Sequence, residues 1–322
     1  MESNQVVDAL LGVAIGDAVG VPFEFSSRAQ MKANPAKGMI GYGTYNQAPG
    51  TWSDDSSLTF CLAEALTSGY NLQDISNNFI KWREEAYWSA RGEVFDIGHT
   101  THKAISRLSE ILTTGNAEQL SDLKEDDEEF EFENGNGSLM RIIPLLFYIK
   151  EKPIAEQFDI IWEVSALTHR HIRAGMSCLI YLRLAEKLLE GKQKEVAYQE
   201  TRADILAFWE NIEFPDSERA HFSRVVQNDI RTTTIDALKS GGYVIEVLES
   251  SIWFFLQRDS FEDTILSIIN IGHDTDTSAA IAGGLAGIYH GQKGIPEYWL
   301  ISLARLEDIL DLGNRLHQKY CI

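Results

Sequence analysis

Residues 270–287 read NIGHDTDTSAAIAGGLAG, and this stretch decides what kind of molecule the chain makes. Asp274, Thr275, Asp276 and Thr277 place two carboxylates and two hydroxyls on consecutive residues. Small or apolar residues follow, Ser278-Ala279-Ala280-Ile281-Ala282-Gly283-Gly284. The pattern reads as the start of a buried helix with acids at its mouth. Far upstream, residues 50–60 read GTWSDDSSLTF, and Ser53-Asp54-Asp55-Ser56 open a second helical segment in the same way. Taken singly, each cluster has an ordinary explanation. Ser, Thr and Asp are the preferred N-caps, and acids in a first turn favour the helix dipole. Both clusters nevertheless use more acids than a cap needs, and buried acids need partners. Four carboxylates brought together repel unless a cation sits between them. Hard oxygen donors suit Mg²⁺, Mn²⁺ or Ca²⁺ rather than zinc or copper. The expectation is a metal-dependent enzyme whose site joins the two ends of the chain.

The surrounding sequence is helical in period. Residues 5–20 carry apolar positions at Val6, Leu10, Leu11, Val13, Ala14 and Ala18. Further helices are expected near 56–68, 73–88, 99–113, 138–150, 154–168, 171–190, 195–212, 242–257, 261–271, 276–290 and 302–319. Gly69, Gly115 and Gly191 sit where helices should stop. Clear strand alternation is absent, and no strand–GxGxxG–helix unit supports a dinucleotide-binding sheet. The architecture expected is all-α. The two acid clusters need each other, so residues 1–322 are read as one domain. The long connection over 25–53, rich in Gly and Pro, ends on the first acid cluster and reads as a functional loop. The acidic run over 121–134 reads as a solvated loop rather than a metal site.

Bulk composition narrows the function. The chain has 322 residues, 44% of them hydrophobic, and a formal net charge of −20. Such a surface repels phosphate backbones, which argues against nucleic acid as a partner. An anionic small ligand would need a bound cation to offset the local field. Cys61, Cys178 and Cys321 are scattered and form no CxxC pair, as in a reducing compartment. The first residues lack a basic region and carry Asp8 and Asp17 within the apolar stretch, unlike a signal peptide. No uninterrupted apolar run reaches the length of a membrane span. A cytoplasmic protein is expected.

Four smaller constellations remain. Residues 134–141, Asn-Gly-Asn-Gly-Ser-Leu-Met-Arg, run towards an apolar segment. They are either a phosphate-holding loop or a Gly-rich turn with Ser138 as cap. Pro144 is placed to kink the helix expected there. Residues 168–173 hold His169 and His171. Side chains two residues apart diverge on a helix, so either one of them faces a ligand or the segment is an ordinary basic surface. Asp96 in Phe-Asp-Ile-Gly-His precedes a helix and has capping as its default role. Glu24 follows the first helix, where a carboxylate is disfavoured by the dipole, and so hints at function.

Together these segments resemble the ADP-ribosylglycohydrolase family. The resemblance runs in order through LLGVAIGDAVGVPFEF, GTWSDDSSLTF, FDIGHTTHKAI, GNGSLMRIIPL, SALTHRH, GGYVIEVLESSIW and GHDTDTSAAIAGGLAGIYHG. It implies an all-α domain with a central cleft and a binuclear Mg²⁺ centre, Mn²⁺ being an alternative. The implied metal ligands are Ser53, Asp54, Asp55, Asp274, Asp276 and Thr277. The implied catalytic carboxylates are Asp96, Glu24 and Asp55. Gly135, Asn136, Gly137 and Ser138 would hold the pyrophosphate, while His169, His99 and Tyr243 would contact substrate. The implied reaction is hydrolysis of the N- or O-glycosidic bond linking ADP-ribose to a protein side chain or a similar acceptor. His99 and His273 depart from the family pattern and leave the acceptor open. Two other readings stay in view: an HD-type all-α phosphohydrolase using the histidines as ligands, and a non-catalytic ADP-ribose reader or structural member of the fold.

Overall fold

A computed structural model describes residues 4–124 and 133–321. The chain forms α1 (Gln5–Gly20), α2 (Arg28–Ala33), α3 (Asp54–Ser68), α4 (Leu72–Glu85) and α5 (His99–Thr113). Then come α6 (Leu145–Ile149), α7 (Ile154–Ala166), α8 (Ile172–Leu189), α9 (Lys194–Glu210) and α10 (Asp216–His221). The chain ends with α11 (Val244–Gln257), α12 (Phe261–Ile269), α13 (Thr275–His290), α14 (Glu297–Ser302) and α15 (Leu306–Tyr320). Among the described residues there is no strand, only an isolated antiparallel bridge between Gly135 and Tyr243.

The centre of the fold is the seam between α1 and α13. The two helices run antiparallel, so Gly20 meets Asp276, Gly16 meets Ala279, and Gly12 meets Gly283. A Cβ on Gly12 or Gly16 would overlap a carbonyl of α13. Small residues therefore let the two backbones touch, and larger ones would force them apart. Thr275 locks the end of the seam by donating its hydroxyl to the Gly20 carbonyl at 2.8 Å. This register brings the exit of α1 and the entry of α13 to one place. Around the seam pack α3, α11, α12 and α15, and the apolar faces of all of them are buried.

The 5–23 stretch is long and apolar enough to cross a membrane by length and composition. Here it is the core helix itself, 89% buried in its apolar window. Its apolarity is used up by α13, α15 and α3.

Most expected helices are present, and three differences are informative. The helix expected over 138–150 is only Leu145–Ile149. Pro144 is its N-cap and not a kink within it, because proline lacks the N–H an interior position needs and disfavours helix before it. The helix expected over 302–319 begins later, at Leu306, because Arg305 before it is left-handed (φ 52), and a separate short helix, α14, ends at Ser302. The acidic run is not wholly solvated. Ser121–Lys124 belong to a 3₁₀ segment, and Glu133 pairs with Arg170 at 2.6 Å and with Arg107 at 3.6 Å. Residues 125–132 of that run lie outside the described residues.

Candidate active site

The two acid clusters meet. Ser53 is the N-cap of α3, and its hydroxyl donates to Asp55 Oδ2 at 3.1 Å. Thr277, from the other end of the chain, reaches the same Asp55 oxygen at 3.4 Å. Asp274 stands at the N-cap position of α13 but makes no capping bond. Its carboxylate instead accepts from Asn136 Nδ2 at 2.7 Å. Capping alone therefore does not explain these acids.

Asp17 holds the arrangement together from beneath. It lies on α1, fully buried, and one of its oxygens accepts the Ser53 N–H at 2.9 Å. The other accepts the Ser56 N–H at 3.0 Å and the Ser56 hydroxyl. It thus satisfies first-turn N–H groups of α3 from a different helix. Asp17, Asp55 and Asp276 place carboxylate oxygens within 4.8 Å of one another, and so do Glu24, Asp96 and Asp276. Both Asp17 oxygens are engaged by α3, so Asp17 is better suited to fixing that helix than to binding an ion.

The electrostatics of this floor are lopsided. Burial pushes the carboxyls of Asp54, Asp55 and Asp276 well above the usual range, and their acidic neighbours push them further. Burial raises Asp274 and Asp96 in the same direction. It also raises Asp17 to about 6 against its hydrogen bonds from Ser56 and Ser53, and Glu24 to about 8 with help from Asp96. Asp55 Oδ1, Asp276 Oδ2 and Glu24 Oε2 are buried with no hydrogen-bond partner. Unpartnered buried carboxylate oxygens are costly. A hard divalent cation satisfies both the charge and the empty lone pairs, so the residues present fit one.

Above the floor opens a cavity of about 380 Å³, within the range of small-ligand sites. Glu24, Asp54, Asp96, Asp274 and Thr277 border one side. Gly135, Asn136, Gly137 and His169 border the other. The Gly-rich loop is held by two backbone bonds to the α11 entry, Asn136 N–H to Gly242 O at 3.0 Å and Val244 N–H to Asn134 O at 3.1 Å. A Cβ on Gly137 would lie 2.6 Å from His169 Cε1, so glycine is required for the ring to pack there. His169 is buried, contacts the Thr168 hydroxyl through Nδ1 at 2.8 Å, and is held neutral. Burial lowers it to about 3, with the Arg141 and Arg107 charges adding to the effect. Arg141 is itself fully buried, donates to the Gly137 carbonyl, and stacks 4.9 Å from the Phe79 ring.

The expected site residues do not all reach the cavity. His99 borders it as an exposed residue at the start of α5. Ser53, Asp55 and Asp276 lie beneath it, buried. Ser138 caps no helix. It is fully buried, and its hydroxyl meets Ser165 at 2.8 Å and Cys178 at 3.8 Å. Tyr243 does not border the cavity. Its backbone bridges to Gly135, and its hydroxyl lies 3.5 Å from Arg173 and 3.4 Å from His221. Asp96 caps nothing, since Gly98 is the N-cap of α5. The histidines do not converge: His171 caps α8, His102 and His273 are exposed, and no histidine joins an acidic metal group among the described residues. The phosphohydrolase alternative loses its ligand set.

Two residues of the site escaped the sequence reading. Asp17 carried a signal, an acid inside an apolar helix, which was used only against a signal peptide. Tyr45 lies in the 25–53 loop, and its hydroxyl stands beside the Glu24 and Asp96 carboxyls. A tyrosine in an irregular loop carries no sequence mark of that role.

A helical core that buries converging carboxyls from both ends of the chain under a polar cavity is the frame of a divalent-metal enzyme. The chain belongs to the ADP-ribosylglycohydrolase family, whose model matches residues 2–321. It is 30% identical to an ADP-ribosylarginine hydrolase, Tri1, of Pseudomonas putida (strain GB-1), over 97% of this chain and 77% of that protein. It is 24% identical to the ADP-ribosyl-[dinitrogen reductase] glycohydrolase of Rhodospirillum rubrum, over 93% of this chain and 90% of that one. A solved structure titled "ADP-ribosylglycohydrolase-related protein complex" superposes with a TM-score of 0.79 at 26% identity, covering 99% of this chain and 100% of the other. The family is metal-dependent, in keeping with the acid floor.

Proposed function

We propose that this chain hydrolyses the glycosidic bond between ADP-ribose and a protein side chain, or a similar small acceptor, and releases ADP-ribose. One observation carries the reading. Acids from opposite ends of the chain converge on Asp55 and Asp276, leaving buried oxygens unpartnered beneath a cavity of ligand size. Ser53, Asp54, Asp55, Asp274, Asp276 and Thr277 are the residues that would hold the metal, proposed as two Mg²⁺ ions with Mn²⁺ as the alternative. Divalent ions in such a floor supply positive charge that polarises ligating oxygens and lowers the pKa of water.

The chain's own groups divide the remaining work. Gly135 and Gly137 let a pyrophosphate approach the backbone closely, Asn136 keeps one amide hydrogen beyond the one given to Asp274, and neutral His169 backs that wall. Ser138 and Tyr243 support the wall from behind, since their side chains turn away from it. Asp96 stands at the cavity edge and is the proposed base. Glu24 lies beside it and completes the proton path. Breaking a ribosyl bond builds positive charge at the anomeric carbon, and the surrounding carboxylates favour that charge. A cytoplasmic setting is part of the same proposal, argued from the free thiols Cys61, Cys178 and Cys321.

Arginine-linked ADP-ribose is the first substrate to test, because the relatives at 30% identity carry that activity in their names. The experiment is incubation with Mg²⁺ or Mn²⁺ and a panel of ADP-ribosylated arginine, serine and phosphate compounds, with free ADP-ribose as readout. Release from one member and its loss with EDTA is the expected result. Tight binding without release from any member would instead mark a reader of ADP-ribose.

A further inference from the structure

The turn over residues 42–47 is held unusually firmly for a loop at a cavity mouth. It closes on itself through the Tyr42 N–H to the Gln47 carbonyl at 2.7 Å and the Asn46 N–H to the Gly43 carbonyl at 3.0 Å. Thr44 then ties it to the segment bearing Glu24. Its N–H donates to the Pro22 carbonyl at 3.1 Å and its hydroxyl to the Glu24 carbonyl at 2.7 Å. A Cβ on Gly43 would overlap the Pro22 carbonyl, so the approach depends on glycine. Left-handed φ values gather here at non-glycine residues: Phe25 (62), Tyr42 (60), Asn46 (53) and Asp96 (49). Such conformations persist only where the surroundings impose them, and they concentrate at functional sites.

All of this structure presents one side chain. The Tyr45 ring lies near Phe25 (centroids 6.4 Å apart) and Phe95 (5.2 Å). Those rings adjoin Glu24 and Asp96 in the chain, and with Thr44 bonded to the Glu24 carbonyl they place the Tyr45 hydroxyl beside both carboxyls. We propose that Tyr45 is a positioning residue for the hydrolysis, whose hydroxyl fixes Glu24 and Asp96 relative to each other at the cavity mouth. The role rests on the hydrolase reading above. One hydroxyl donates to one carboxylate and can accept from the other when that one is protonated. It therefore settles which oxygen of each acid stays free for substrate or water. Without it, two carboxyls in like-charge contact have no shared partner and turn apart.

Tyr45→Phe keeps the ring and deletes the hydroxyl. On whichever panel substrate the wild type cleaves, kcat should fall roughly 10–100-fold. KM and Mn²⁺ affinity should stay within about twofold, and the thermal midpoint should hold, because the floor is untouched. Gly43→Ala leaves the hydroxyl in place but pushes the turn off Pro22, and it should give a similar kcat loss. It decides the matter should Tyr45→Phe be unstable. An inactive wild type removes the hydrolase reading and this role with it. An active wild type with Tyr45→Phe or Gly43→Ala at full kcat overturns the role alone. So does a Tyr45→Phe whose lost activity tracks lost Mn²⁺ affinity.

Discussion

The floor and the mouth of the cavity are built on opposite principles. The floor rests on the α1–α13 seam, where glycines allow backbone contact and side chains have no room to move. The mouth is made from the 25–53 loop, with left-handed residues and with Phe25 and Tyr42 about 70% exposed (70% and 69%). A metal floor needs fixed oxygens, because ligand distances tolerate little error. A mouth that meets a variable acceptor needs shape and chemistry on the surface, which loops supply. The difference teaches where mutation should act on stability and where on chemistry.

The largest effect is expected at the seam. Gly16→Leu should cost more than ~3 kcal/mol or prevent folding, and urea denaturation would measure it. A variant as stable as wild type would show that α1 and α13 are not held by backbone contact. Next comes the floor. Asp55→Asn should fold, yet lose turnover by roughly 10³-fold together with metal affinity. ADP-ribose release and Mn²⁺ titration check the two halves of that statement.

A third test uses pH. Burial raises Asp17 to about 6 and Glu24 to about 8. A raised folded pKa means the folded chain keeps protons the unfolded chain has given up. That stability is present below the ordinary carboxylate values and is lost as pH rises through the raised ones. In EDTA the thermal midpoint should therefore fall between about pH 5 and pH 8. Mg²⁺ should restore more of it at the upper end than at the lower. A metal effect independent of pH would mean the ions bind elsewhere. The smallest effect belongs to the mouth. Phe25→Gly relieves a left-handed φ and should leave stability unchanged or raise it by up to ~1 kcal/mol. A clear loss in the same urea experiment would show that the mouth is packed like the floor.

How much of this was legible follows from the same contrast. Regular elements report themselves: α1 over 5–20 and α5 over 99–113 match the periodicity residue for residue. The meeting of Asp55 with Asp276 followed from the excess of acids over capping needs. Pro144 was visible but misread, because a proline can begin a helix as well as bend one. Side-chain direction was not legible. Ser138 and Tyr243 sit in the expected motifs yet turn into the core and towards Arg173. Asp17 and Tyr45 act across long sequence separations, and no local pattern marks such a partner.

The most direct test is calorimetric titration of the metal-free chain with Mn²⁺ near pH 8, repeated on Asp276→Ala. Saturable uptake of two ions per wild-type chain, lost in the variant, is the predicted result. No saturable uptake by the wild type, or uptake unchanged by the variant, would contradict a metal floor built from the two ends of the chain.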